Sequence, residues 1–433
     1  MQSRVRIRVP GDKSLSQRAL IMAALAEGSS RLSGLLHGGD TESTAGALRA
    51  LGVEIPSIPE DGSALVIEGV GLDGLRSPRS TLDLGNSGTG TRLLMGALAG
   101  SDVRATLDGD ASLRTRPMTR VLRPLSLMGA RFEAGVESDR LPITVHGRGR
   151  LESLEWDSPV ASAQVKSAIL LAGLTGRAFT FVTEPGESRD HTERMFNAVG
   201  APVISHATDD GWRIEMRDPP DHIRPLDFAV PGDISSAAFL LALAALGAAG
   251  DEIVIEYVGL NPTRTAFLDV LLRMGSDVEV HDRTPEGATE PAGDVVIRPT
   301  ELCSTSVGAE EVPRLIDELP LVAILGACAE GETRITGAEE LRAKESDRIA
   351  AVAGNLRSLG VEVEELKDGL VIQGDPGRRL EGQVRAWHDH RIAMAFSVLG
   401  AATGRAIEVD DLSVAGVSFP GFDRLVRTLT DTG

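Results

Sequence analysis

Six Ala- and Leu-rich segments, each running into a glycine, recur along the chain. They are RALIMAALAEG ending at Gly28, RLLMGALAG at Gly100, KSAILLAGLTG at Gly176, SAAFLLALAALGAAG at Gly250, LPLVAILGACAEG at Gly331 and RIAMAFSVLGAATG at Gly404. The closing glycines stand 72, 76, 74, 81 and 73 residues apart. A period this constant means that one supersecondary unit is used six times. Each segment is apolar on nearly every side, which fits a buried helix, and the glycine is placed where a C-cap belongs. Behind it come an apolar alternation of β type, a second helix, and a turn in which Leu, Met or Val precedes Gly: Leu51-Gly52, Met128-Gly129, Val199-Gly200, Met274-Gly275 and Leu359-Gly360. Alternating strands then follow, as in VEIPSI, ARFEAG, SDVEVHD and VEVEEL. The unit reads strand, helix, strand, helix, strand, strand, so the fold class is α/β (α+β).

A coarser symmetry overlies the period. Val9-Pro10-Gly11-Asp12 recurs 221 residues later as Val230-Pro231-Gly232-Asp233, about half the chain away. A solenoid would carry polar capping repeats, which this chain lacks, so two similar lobes of three βαβαββ repeats are expected. Residues 11–229 form the first lobe and residues 1–10 plus 230–433 the second. The Val-Pro-Gly-Asp turns then mark the crossings, and RVRIRV is sent into the second lobe's sheet.

With 63 acidic against 44 basic residues the 433-residue chain carries a formal charge of −19, which excludes a general nucleic-acid binder. Small anionic substrates stay open, because a pocket can be positive on a negative protein. Cys303 and Cys328 are too few for a disulfide scaffold and fit a reducing compartment. The start MQSRVRIRVP has no apolar targeting core, and the uncharged stretch from Ile234 to Gly250 is shorter than the ~20 residues of a membrane span. A cytoplasmic protein is expected. Only four of the basic residues are lysines, at 13, 166, 344 and 367, and three of them fall in clusters of small polar and charged residues.

Six such clusters sit immediately before the apolar segments, GDKSLSQR, LGNSGTGTR, SAQVKS, GDISS, DELP and HDHR, and Lys344 falls in a further one, RAKESDR. A helix start offers free N–H groups and a partial positive charge, so such clusters form anion sites. GDKS is not an ATP-binding loop, since Asp12 and Ile7 stand where that loop needs glycines. GNSGTG misses the dinucleotide spacing, leaving a tight turn or a backbone cradle for phosphate or carboxylate. RAKESDR reads as a salt-bridged helix start or as a charge cluster. HDHR is too short for zinc, and no Ser-His-Asp or reactive-Cys signature occurs.

PGDKSLSQRAL, LGNSGTGTRLL, DASLRTRPM, SAQVKSAILLAGL, SRDHTERM, IDELP, LRAKESDR and HDHRIAM together resemble the 5-enolpyruvylshikimate-3-phosphate synthase family, in order and over essentially the whole chain. The resemblance implies the enolpyruvyl transferase fold, an inside-out barrel-like pair of lobes with the active site in the cleft between them. It implies transfer of the enolpyruvyl group of phosphoenolpyruvate to the 5-hydroxyl of shikimate 3-phosphate, on the route to chorismate, by a monomer that needs no metal or organic cofactor and is a glyphosate target. Carried over by residue, the shikimate 3-phosphate ligands are Lys13, Ser14, Arg18, Ser162, Ala163, Gln164, Arg189, Asp317 and Lys344. The phosphoenolpyruvate ligands are Lys13, Asn86, Gly88, Thr89, Arg116, Gln164, Arg348, His390 and Arg391. Asp317, Glu345 and Lys13 are the catalytic candidates, and Lys166 is left without a role.

Ala163 stands where some members have Ser, and Val417 lies near a position where many carry a Lys that helps to hold phosphoenolpyruvate. Arg405 or Arg424 is within sequence reach as a substitute. Two rivals remain. A sister enzyme using UDP-N-acetylglucosamine has Asn in place of Ser14 and commonly a reactive Cys in its first half. A binding module of the same fold would have lost the charged positions that this chain keeps.

Overall fold

The computed structural model describes residues 4–134 and 139–431. The chain divides into two compact units, Gly11–Val230 and the pair of segments Met1–Pro10 with Pro231–Gly433. Among the described residues no helix is long and apolar enough to cross a membrane.

The first unit is built on three helices, Lys13–Leu25, Gly88–Ala99 and Ala163–Gly176. Every residue from Leu15 to Leu25 and from Val165 to Gly176 is buried, which explains why no polar stripe could be read in these segments. Sequence periodicity has nothing to report for a helix with no wet face. The last two approach so closely that a Cβ on Gly96 would lie 2.2 Å from the Ala168 carbonyl oxygen, and one on Gly100 2.2 Å from the Gly176 nitrogen. Small residues at these crossings let the two helices run close together toward their C-terminal ends.

Sheets wrap the helices. Arg104–Asp108, Ile143–His146 and Arg131–Ala134 follow Leu82–Asp83 in one four-stranded sheet, and Leu154–Asp157 begins another with Thr180–Glu184, Gly211–Met216 and Ile204–Thr208. In both, the first pair is parallel and the remaining pairs are antiparallel. The first repeat differs. Its sheet has three strands, with Asp227–Ala229 pairing in parallel with Glu27–Ser33, which pairs antiparallel with Leu65–Val70.

The second unit repeats the plan around Ile234–Ala245, Leu319–Cys328 and His390–Ala402. Its first sheet takes the strand Arg4–Ile7, which lies parallel to Glu252–Gly259 in the register Arg4 to Glu252 and Ile7 to Ile255. Ser306–Val307, Gly331–Ile335, Gly369–Gly374 and Glu362–Leu366 make the next sheet, and the last repeat has only the pair Gly382–Val384 and Ile407–Val409.

Two expectations need correction. VEIPSI is not a strand: only an isolated bridge, Glu54 to Glu68, forms there, because Pro56 and Pro59 withhold the N–H groups a ladder needs. The glycines that close the apolar segments are also not uniform C-caps. The first helix ends at Ala26, two residues before Gly28, and the third is capped by Arg177 in the left-handed region while Gly176 packs against Leu151. Of the six closing glycines, Gly28, Gly250, Gly331 and Gly404 have positive φ and Gly100 and Gly176 do not, while the glycines after the second helices, Gly52, Gly129, Gly200, Gly275 and Gly360, all have φ between 81° and 98°.

Candidate active site

In the first unit each buried helix begins with a side-chain cap: Asp12 accepts from Leu15 N, Ser87 from Gly90 N, and Ser162 from Val165 N. The starts are tied to one another by side-chain hydrogen bonds. Gln17 Nε2, fully buried, reaches Ser87 Oγ at 2.5 Å, Thr44 Oγ1 at 2.9 Å and the Asp40 carbonyl at 3.0 Å. Gln164 Nε2 donates to Thr89 Oγ1 at 2.9 Å, while its Oε1 accepts from Arg92 at 3.0 Å. Arg18 spans the Lys13–Leu25 and Ala163–Gly176 helices, donating to Thr192 Oγ1 at 2.8 Å and Ser167 Oγ at 3.2 Å.

The charged candidates of this unit lie on that frame. Lys13 Nζ sits 3.0 Å from Asp40. Arg116 donates to Asn86 Oδ1 at 2.6 Å, and Asn86 in turn donates to Asp110 at 2.8 Å. Gly88 opens its helix, and a Cβ there would meet Arg92 Nη1 at 2.7 Å and Arg116 Nη1 at 3.2 Å. Ser14 offers its carbonyl to Arg18, Ala163 opens its helix behind Ser162, and Arg189 is half-buried just before the helix His191–Val199.

The second unit gathers full charges instead. Asp317 Oδ1 has Arg348 Nη1 at 3.3 Å, Arg391 Nε at 3.8 Å and Lys344 Nζ at 3.9 Å. Arg391 also donates to the Asp317 carbonyl at 3.1 Å. Glu345 lies 2.6 Å from Arg348. Arg348 itself is only 1% exposed, held at 2.8 Å by Asp389, which is fully buried and caps the His390–Ala402 helix through Arg391 N. Burial alone would raise the Asp389 carboxyl, but Arg348 outweighs it and holds the pKa below the usual aspartate value. Burial would likewise lower Arg348, yet Asp389, Glu345 and Asp317 raise it. His390 is buried at the first position of its helix.

Such an arrangement suits a substrate with a carboxylate and a phosphate. Guanidinium groups make paired, charge-assisted bonds to both, and carboxylates beside them can carry protons. The EPSP synthase (3-phosphoshikimate 1-carboxyvinyltransferase) family model matches residues 2–425.

The chain belongs to the EPSP synthase family.

Relatives named 3-phosphoshikimate 1-carboxyvinyltransferase include those of Alkalilimnicola ehrlichii, 48% identical over 98% of this chain and 92% of that one, and Gloeobacter violaceus, 48% identical over 96% and 94%. The fold is similar to that of EPSP synthase from Acinetobacter baumannii, with a TM-score of 0.84 and 39% identity over 99% of this chain and 96% of that one. The enolpyruvyl transferase NikO from Streptomyces tendae, 19% identical with a TM-score of 0.73 over 99% and 95%, shares the fold.

Within the EPSP synthase frame, several residues that sequence reasoning passed over become prominent: Gln17, Asp40, Arg92, Glu184 and Asp389. Gln17, Arg92 and Asp389 lie inside quoted motifs, so their position was available; their partners across the fold were not. Arg405, considered as a stand-in for the lysine missing near Val417, is instead paired with Asp431 at 2.5 Å, while Val417 is half-buried in the short helix Ser413–Val417.

Proposed function

We propose that this chain transfers the enolpyruvyl group of phosphoenolpyruvate to the 5-hydroxyl of shikimate 3-phosphate, releasing phosphate by addition and elimination. The observation that carries the reading is Asp317, a carboxylate set among Lys344, Arg348 and Arg391 with Glu345 alongside, in a chain that belongs to the EPSP synthase family. Attack of the hydroxyl oxygen on C2 of phosphoenolpyruvate needs a base for the hydroxyl proton and an acid to make C3 a methyl group. The tetrahedral adduct then loses a C3 proton and breaks the C2–O bond to phosphate.

In this reading Asp317 takes the hydroxyl proton, and Glu345 and Lys13 move protons at C3 and near the departing phosphate. Arg348 and Arg391, with Arg116, Lys13, Asn86, Gly88, Thr89, Gln164 and His390, hold phosphoenolpyruvate. Ser14, Arg18, Ser162, Ala163, Gln164, Arg189, Asp317 and Lys344 hold shikimate 3-phosphate, Ala163 by its N–H alone. Both sets serve one pair of substrates, so shikimate 3-phosphate, with ligands from both halves of the chain, drives closure. A single copy in the cytoplasm is the working form; large exposed apolar side chains among the described residues, such as Val66, Leu127, Phe179 and Leu272, are scattered over separate elements.

The test is phosphate release from phosphoenolpyruvate. Release with shikimate 3-phosphate and none with UDP-N-acetylglucosamine is expected; the reverse would assign the sister reaction, and no release with either would leave a binding module.

A further inference from the structure

Lys166 has no part in the reaction as proposed, yet it is fully enclosed. Its Nζ lies 2.7 Å from Glu193 Oε1 and 3.5 Å from Glu184 Oε2, and it donates to the Ser188 carbonyl at 3.3 Å. The Glu184 side chain is also fully enclosed and has both oxygens engaged. Oε1 accepts the Ser162 N–H at 2.7 Å, and Oε2 accepts the Ser188 hydroxyl at 2.6 Å. Burial would lower the Lys166 pKa, but Glu193 and Glu184 outweigh it and raise it, so the ammonium stays charged. Burial pushes the Glu193 carboxyl up against the pull of Lys166.

Three sealed ionisable groups are a poor way to stabilise a fold, since a well-packed apolar trio does as well or better. What this trio does hold is specific. One grip is on Ser162, the N-cap of the Ala163–Gly176 helix; the other is on Ser188, the neighbour of Arg189. Two stretches of chain given above to shikimate 3-phosphate are thus fastened to one carboxylate. That carboxylate lies beneath the helix start where a phosphate dianion would dock, and an uncompensated charge there would repel it.

We propose that Lys166, Glu184 and Glu193 form a positioning cluster for the phosphate end of shikimate 3-phosphate. Glu184 sets Ser162 and the Ser188-Arg189 turn in register, and Lys166, steadied by Glu193, cancels the charge of Glu184 toward the incoming dianion. This rests on the function proposed above.

The experiment measures KM for each substrate, kcat and calorimetric binding of shikimate 3-phosphate in Lys166→Met, Glu184→Ala and the double variant Lys166→Met/Glu184→Gln. Lys166→Met is expected to weaken shikimate 3-phosphate about tenfold, the worth of a contact to a charged group. KM for phosphoenolpyruvate and kcat should stay within about threefold of the parent. The double variant should recover most of the lost affinity, because the charge of Glu184 beneath the helix start is gone and Glu193, whose carboxyl burial already pushes up, takes a proton once Lys166 is absent. Glu184→Ala keeps the Lys166–Glu193 pair, should also lose about tenfold for shikimate 3-phosphate alone, and serves if Lys166→Met does not fold. Parental affinity in the single variants, equal losses toward both substrates, or a lowered melting temperature with no recovery in the double variant would overturn the proposal. Parent enzyme that releases no phosphate refutes the function instead, so the two failures are told apart.

Discussion

The candidate residues of the two units are held in place by different means. In the first unit, amides, hydroxyls and helix starts are cross-linked by neutral bonds through Gln17, Thr89 and Gln164. The second collects Arg348, Arg391 and Lys344 against Asp317, Glu345 and Asp389. The first arrangement offers fixed partial charges that need no reorganisation when an anion arrives. The second stores full charges whose desolvation is already compensated by protein carboxylates, and a substrate anion can exchange for one of them. The first unit thus carries the cations Lys13, Arg18 and Arg116 on a hydrogen-bonded frame, and the second sets its cations directly against carboxylates.

Removing Asp317, the proposed proton acceptor, tests this division most severely. Asp317→Ala should lower kcat by roughly 10²–10⁴-fold with smaller changes in KM, as for loss of a general base; a change confined to KM would turn Asp317 into a ligand only. Arg348→Met comes next. It strands Asp389 in the core, and loss of one buried partner costs about 3–5 kcal/mol, read by denaturant titration. Asp389→Asn in that background should recover part of the loss, and a neutral outcome for Arg348→Met would mean that the buried charges of the second unit are not held as a set.

Smaller effects probe the first unit. Gly96→Ala drives a methyl into the Ala168 carbonyl, for an expected cost of about 1–3 kcal/mol in a melting experiment. An unchanged melting temperature would show that the helix crossing is looser than described. Gly88→Ala should leave the fold intact while pressing on the ends of Arg92 and Arg116, raising KM for phosphoenolpyruvate and lowering sensitivity to glyphosate by about tenfold or more. Micromolar phosphoenolpyruvate KM with indifference of the parent to millimolar glyphosate would sink that expectation.

Acid should separate the halves most gently. The folded Asp389 pKa is depressed, so its stabilising contribution is complete above the ordinary value of 3.8 and is lost only as pH falls through the lower folded value. Melting temperatures taken downward from pH 5 should fall in that acid window in the parent and less so in Asp389→Asn. Equal slopes would remove Asp389 from the account.

The repeat and most elements were legible because glycine turns and apolar runs are local signals. Gly52, Gly129, Gly200, Gly275 and Gly360 could be placed from their dipeptides, and all five are left-handed. VEIPSI was misread because alternation was given more weight than its prolines. Among site residues, most of those carrying charge in quoted motifs stood out. Asp389 did not, since an acidic residue before a helix reads as a cap until its partner across the fold is known, and Asp40, inside a helix, and Glu184, at the end of a strand, lie in no quoted motif. Asp389 is indeed a cap, and it also holds Arg348.

The strand Arg4–Ile7 finds its partner in Glu252–Ile255. On a ribosome adding roughly 5–20 residues each second, this segment waits for tens of seconds after its own synthesis while the sheet it will edge is still unsynthesised. Four residues with alternating arginines, RVRI, are well suited to that wait, because charge on an unpaired edge discourages pairing with the wrong strand. The second unit therefore closes its first sheet with a segment made before the whole of the first unit.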